Sequence, residues 1–208
     1  VPGLPGLTRM QPQGTIDSKR LEFFSDAVLA VAITLMVLRI DPPVPAPGET
    51  LVQAFWTDTG PQIIYFLITF AVIVGFWVRH HDIFVRLGEQ TDRHVLVANM
   101  TFLALICLLP FGLEFFSDDP RSYLTTAVYA GIMALCSLSM IWLRHAALGG
   151  WNWRAYLRVG LFLLPIPFAG LLGGWSPLLW ALNWPLSMWF DRLGVNNPDD
   201  LDEGRARA

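Results

Sequence analysis

Apolar residues in this chain fall in long blocks, separated by short polar segments. The blocks run Leu21–Ile40, Ile63–Phe84, Val95–Phe116, Tyr123–Leu143, Tyr156–Gly174 and Pro177–Phe190. A bilayer core of about 30 Å needs about 20 mostly apolar residues per helix, so the pattern predicts six transmembrane helices and an all-α, polytopic membrane fold. The sixth block is shorter and carries Pro185. Between the first two blocks DPPVPAPGET is too proline-rich to be helical, and Leu51–Trp56 behind it predicts a short helix lying at the interface. No internal repeat is present. The pattern gives one six-helix domain over 20–192, flanked by tails at 1–19 and 193–208. The first block is too long for a cleaved leader, and no small-residue cleavage site follows it.

Composition agrees. Of 208 residues 54% are hydrophobic and 15% charged, against about 25% charged in soluble domains. The mean hydropathy is +0.47. The net charge of −3 includes no strongly basic segment, which leaves nucleic acid without a footprint. The bilayer is the expected partner, and no soluble partner is indicated. Cys107 and Cys136 sit inside apolar blocks, where neither a disulfide framework nor a metal site is expected. Enzyme chemistry finds no nucleophile–histidine pairing and no HExxH spacing, so no catalytic residue is assigned.

Charge position sets orientation. Arg9, Lys19, Arg20, Arg79, Arg86, Arg93, Arg144, Arg154, Arg158, Arg192, Arg205 and Arg207 fall on one side, leaving only Arg39 and Arg121 of the 14 basic residues on the other. That second side collects Asp41, Glu49, Asp58, Glu114, Asp118 and Asp119. Both termini are therefore expected to be cytoplasmic. Trp77, Trp142, Trp175 and Trp189 near block ends suit an interfacial belt.

The first block holds Glu22, Ser25 and Asp26. A carboxylate at the centre of a membrane helix costs about 2.5–3.5 kcal/mol on insertion scales, and less near an interface, so Asp26 requires partners. Up-down threading puts it at the depth of Trp77, His80, His81 and Asn99. Three readings stand at this point: a buried polar staple joining three helices, a gating or proton-sensing site through His81, and a metal site. His80 and His81 are neighbours about 100° apart on a helix, which argues against chelation.

Phe24, Val28, Val31, Leu35 and Leu38 recur with 4-3-4-3 spacing, one seam of the helix. Asp26 lies about 140° from Val31 on the helical wheel. The seam suits ordinary helix packing, or a self-associating helix lining a central pathway with Thr34 offering a hydroxyl beside it.

Arg20 and Phe24-Ser25-Asp26 form an R-x-x-x-F-S-D string that resembles the signature of the transmembrane protein 175 family of potassium channels. FWVRHH, with Trp77, His80 and His81, and Asn99…Leu103…Leu109-Pro110-Phe111 are similar to that family's second and third spans. The resemblance covers about the first 115 residues. It implies a homotetramer around a central pore, since single-unit prokaryotic members assemble in fours. It also implies that the first helix lines the pore, with large apolar side chains at levels matching Val31, Leu35 and Leu38 and with Thr34 beside them. Arg20, Phe24, Ser25, Asp26, Trp77, His81 and Asn99 are implied to form the signature and helix-packing cluster. Val31 is smaller than the residue usual at its level, and Ala27 stands where many members have Gly.

The expected function is a potassium-permeable channel of the cell membrane. It would have a hydrophobic constriction in place of a carbonyl filter, since nothing like TVGYG occurs, and no cofactor beyond the permeant K⁺. The competing expectation is a proton-coupled transporter or proton channel using Asp26 and His81.

Overall fold

Asp17 sets where the first helix starts. Its carboxylate accepts the backbone N–H groups of Lys19 (2.9 Å) and Arg20 (3.3 Å), satisfying donors that a helix start leaves orphaned. The computed structural model describes residues 16–150, 155–172, 175–176 and 178–181. Within them Ile16–Asp17 (β1) pairs antiparallel with Gln90–Thr91 (β2), and Ser18 N–H donates to the Glu89 carbonyl at 3.1 Å. The ribbon ties the start of α1, Ser18–Val37, to the connection between the next two long helices.

A polyproline loop follows, and Thr50 with Gln53 then builds a reciprocal capping box. The segment expected to be a separate interfacial helix is instead the first part of the next span. Leu51–Ala54 (α2) passes through a π turn, Phe55–Thr59, straight into Gly60–Arg86 (α3). Pro61 has no N–H to give an α-helical bond, and the Gly60 N–H reaches back five residues to the Phe55 carbonyl. The π turn absorbs that mismatch without ending the helix.

Asp92 caps Arg93–Ile106 (α4) through the Val95 N–H at 3.0 Å. A break at Cys107–Leu108 precedes Leu109–Asp118 (α5), because the Pro110 ring crowds the carbonyl four residues back. Tyr123–Leu148 (α6) runs unbroken, five residues past the expected Leu143, until Gly149 at φ 70 stops it. The fifth expected span is fragmented by Pro165 and Pro167 into Tyr156–Leu163 (α7), a 3₁₀ turn Ile166–Phe168, and Ala169–Leu172 (α8). Of the sixth, only Leu178–Ala181 (α9) is described. The remainder of that block, residues 1–15 of the expected 1–19 tail and the whole 193–208 tail lie outside the described residues; residues 16–19 of the first tail are instead β1 and the start of α1.

Three helices among the described residues are long and apolar enough to cross a membrane: Leu51–Arg86, Arg93–Asp118 and Tyr123–Leu148. The first helix has comparable length but carries Arg20, Glu22 and Asp26 near its start. The most apolar stretch of α6 is 61% buried, against 28% for that of α2–α3, so α6 forms the hub. Between α3, α4 and α7, Phe76 stacks on Phe162 and meets Phe102 edge to face. Toward the opposite end Tyr65, Phe116, Tyr129 and Trp180 pack edge to face or stacked, and Tyr129 is hydrogen-bonded to Thr69.

Gly112 lets α5 lie close against α6. A Cβ there would stand 2.8 Å from Ile132 Cδ1 and 3.0 Å from Tyr129 Cδ2. Gly112→Ala is therefore expected to destabilise the fold by about 1–3 kcal/mol, the usual range for overpacking. Thermal unfolding in detergent checks this; an unchanged midpoint would refute the tight α5–α6 contact.

Candidate functional site

α1 divides its residues between two faces. Leu21, Ser25, Leu29, Ala32 and Met36 are buried against the bundle. On the other side Phe24, Val31, Leu35 and Leu38 are 51%, 56%, 46% and 77% exposed in the single chain, so four of the five seam residues face away from the fold's own core. Val28 is partly buried. Thr34 opens onto the same exposed face, and its hydroxyl donates to the Val31 carbonyl at 2.9 Å. The donor is used within the helix; the oxygen lone pairs are left for water or a cation.

Near the start of α1 two polar lines cross from α1 to its neighbours. One is buried. Ser25 Oγ donates to the Leu21 carbonyl (2.8 Å) and accepts from Asn99 Nδ2 (2.9 Å), while His80 Nε2 lies 2.8 Å from Asn99 Oδ1. With Nδ2 committed to Ser25, Oδ1 can only accept, so His80 Nε2 carries the proton. The His80 ring stacks on Phe84 (4.4 Å) and Phe102 (5.8 Å). Ser25, Asn99 and His80 are all fully enclosed, which ties α1, α3 and α4 together through groups that are costly to orphan.

The second line is more open. Trp77 Nε1 donates to Asp26 Oδ1 at 2.9 Å, and His81 Nδ1 meets Glu22 Oε1 at 3.1 Å. Trp77 and His81 stack with centroids 5.8 Å apart. Glu22 and Asp26 are one turn apart on α1, as are Trp77 and His81 on antiparallel α3, so the two contacts form two rungs of one ladder.

The structure thus brings Ser25, Asp26, Trp77, His81 and Asn99 to one end of the bundle, but in two lines. His80 takes the buried place, and His81 bonds Glu22. Arg20 and Phe24 join neither line; both side chains are exposed, and Arg20 forms no ion pair among the described residues. Sequence reasoning missed the Glu22–His81 pairing. Its signal was available, because once Asp26 meets Trp77, antiparallel helices bring the residues four away on each side together.

At the opposite end of α1, Arg39 pairs with Glu114 of α5 at 2.7 Å. The Asp41 carbonyl accepts from Thr59, and the Asp41 N–H donates to Gln62. These contacts place Arg39, Asp41, Glu114 and the start of α2–α3 at the same end. Both ion-pair partners are half exposed, so the bridge contributes little to stability. Among the described residues no cluster of three or more histidine, cysteine or acidic side chains could hold a metal ion.

Comparison with known proteins converges on one family. A family model described as the endosomal/lysosomal potassium channel TMEM175 matches residues 20–110, which contain the two polar lines and the exposed seam. A potassium channel of Chamaesiphon minutus is 34% identical over 137 residues, covering 63% of this chain and 66% of that protein. One from Streptomyces collinus is 31% identical over 131 residues, covering 59% and 61%. The chain thus spans about two thirds or less of the length of these relatives. The endosomal/lysosomal proton channel TMEM175 of Rattus norvegicus is 28% identical over 109 residues, only 22% of its own length. Among solved structures, the crystal structure of a lysosomal potassium-selective channel TMEM175 homolog from Chamaesiphon minutus superposes with a TM-score of 0.68. It shares 28% identity, and the match covers 82% of this chain and 96% of that one.

Proposed function

The chain belongs to the TMEM175 family, a family of multi-pass membrane channels, and on that premise we propose that it is a potassium-permeable channel of the cell membrane. Four copies of a six-span chain surround a central pathway, with both termini cytoplasmic. The first helix of each copy contributes Val31, Leu35 and Leu38 to a hydrophobic constriction. Thr34 adds an oxygen beside it. The observation that carries this reading is the division of α1: Leu21, Ser25, Leu29, Ala32 and Met36 are packed into the bundle, while an apolar seam of Phe24, Val31, Leu35 and Leu38 is left exposed at heptad spacing. No cofactor is needed beyond the permeant ion, and no group acts catalytically.

Selectivity on this reading comes from dehydration. A ring of Leu side chains offers no carbonyl cage, so an ion passes only by shedding part of its water at an apolar constriction. K⁺ does so at lower cost than Na⁺. The test is a reversal-potential measurement on the purified chain in planar bilayers under bi-ionic K⁺/Na⁺ conditions. A reversal potential displaced in the direction of K⁺ permeation is expected. A conductance with equal permeability for the two ions, or none at all, would overturn the proposal.

The animal relatives named proton channels favour a second reading, in which Asp26 and His81 relay protons. The two are not hydrogen-bonded to each other; each has its own partner, Trp77 and Glu22. Asp26→Asn separates the readings, because asparagine keeps an oxygen for the Trp77 N–H but cannot exchange a proton. K⁺ flux per assembled channel is expected to persist in that variant. Loss of transport with assembly retained would instead assign Asp26 to a proton relay.

A further inference from the structure

Away from the α1 seam, a cavity of about 330 Å³ opens between the start of α3, the α5–α6 turn and the α8–α9 segment. Ile64, Ile68, Leu171, Trp175 and Leu178 line it, and Arg121 stands in its wall. Among the described residues Arg121 is the one charged residue in its lining, and the Tyr65 phenol also faces it. Arg121 belongs to the turn following α5, at the end of the bundle that holds Arg39, Asp41 and Glu114, whereas Pro61 to Ile68 carry the apolar wall about 10 Å down α3 at 1.5 Å per residue. Three of the wall side chains are turned outward, with Leu171 82%, Trp175 67% and Leu178 46% exposed. In a multi-pass membrane protein, side chains of this kind meet acyl chains, and Trp175 has the amphipathic ring favoured at headgroup level.

Charge decides which headgroup fits. The Arg121 guanidinium has no hydrogen bond or ion pair among the described residues, and its residue is exposed. Beside it Asp119 accepts the Arg121 backbone N–H at 3.3 Å, and Asp118 is likewise exposed. Asp118 and Asp119 precede Arg121 in the same exposed turn, so a phosphate on Arg121 is best accompanied by a positive group. A headgroup bearing phosphate alone would leave those two carboxylates without a cation.

We propose that this groove is a binding site for one zwitterionic aminophospholipid, its phosphate on Arg121, its ammonium on Asp119 and Asp118, and an acyl chain along Ile64, Ile68 and Leu171. The volume lies at the lower end of the range for small-molecule pockets, about 300–1,000 Å³, which suits part of one chain and its glycerol end. Gly170 lies against the Tyr123 phenol, and a Cβ there would require that exposed ring to move aside. The site is independent of the pore reading, and its test needs no conduction.

The full chain, purified in mild detergent and equilibrated with an equimolar mixture of phosphatidylethanolamine and phosphatidylglycerol, would be examined by native mass spectrometry. Wild type is expected to retain phosphatidylethanolamine in preference to phosphatidylglycerol, one molecule per chain. Arg121→Gln should lower that retention about tenfold, the weight of one charge-assisted hydrogen bond. Asp119→Asn should move the preference toward phosphatidylglycerol, while Arg86→Gln at the opposite end should change nothing. Equal retention in wild type and Arg121→Gln would overturn the proposal. So would displacement of the lipid by excess inorganic phosphate, which marks a free-anion site. Rapid disulfide cross-linking between copies of a Leu171→Cys variant would also overturn it, by assigning the groove to a second copy of the chain.

Discussion

Asn99→Leu is expected to destabilise the fold by about 1–3 kcal/mol, far more than its modest change in volume would suggest. The amide is the middle member of the only fully enclosed polar line described between α1, α3 and α4: it donates to Ser25 at 2.9 Å and faces His80 at 2.8 Å. Leucine removes both bonds at once and leaves the His80 ring N–H orphaned in an apolar interior at about 1–3 kcal/mol, while Ser25 keeps its bond to the Leu21 carbonyl. Interhelical bonds measured in membrane proteins average about 0.6 kcal/mol and reach about 1.7, because separated helices also find partners, and this lowers the estimate to the range given. Trp77→Phe removes only the more open bond to Asp26, from a side chain 42% exposed, and should cost under about 1 kcal/mol. Reversible unfolding in mixed micelles orders the two variants. If Asn99→Leu proved no worse than Trp77→Phe, the buried line would not be what secures the first helix.

Parts of this arrangement were legible in the chain and parts were not, for physical reasons. The seam was legible as one face of a helix because a 4-3 repeat keeps to one side, but the pattern alone suited packing as well as exposure; Phe24, Val31, Leu35 and Leu38 share a face turned from the core. The partners of Ser25 and Asp26 were legible as depths, since up-down threading brings Trp77 and Asn99 to the same level. Depth cannot choose between His80 and His81: they are adjacent, and only the rotation of α3 about its axis decides which ring turns inward. The β1–β2 ribbon left no mark because its pairing is made by backbone groups that every residue carries. Leu51–Trp56 reads as a separate helix because no sequence pattern marks a π turn, and it is that turn which carries the chain through Gly60-Pro61 into the next span. The proline breaks at Pro110, Pro165 and Pro167 were visible as residues, but whether a membrane helix stops or only kinks there depends on neighbours that re-satisfy the freed carbonyls.

Leu35→Ala is expected to raise K⁺ flux on the order of tenfold and to move the K⁺/Na⁺ permeability ratio toward unity, without loss of stability. Leu35 is 46% exposed and lies about 100° and 120° around the helix from the buried Met36 and Leu29, so truncation leaves no cavity in the bundle. In four copies around an axis it removes an entire ring of branched side chains. The narrowest apolar level would then hold more water, and an ion would keep more of its hydration shell in transit. A reduction of about 1.4 kcal/mol in the dehydration barrier is a tenfold change in rate. Because the smaller cation has the higher dehydration cost, relief of the constriction favours Na⁺ most, which is why flux and selectivity should move in opposite directions. Val37→Ala is the matching control: it is equally apolar and 48% exposed, but lies about 200° around the helix from Leu35. Flux assays in liposomes, with bi-ionic potentials on the same preparations, separate the outcomes. If both variants behave like wild type, the constriction is not at Leu35. If both open the pathway equally, the effect is one of helix packing and the seam has no special place in conduction. Only a response confined to Leu35, Val31 and Leu38 identifies the exposed face of the first helix as the wall of the pore.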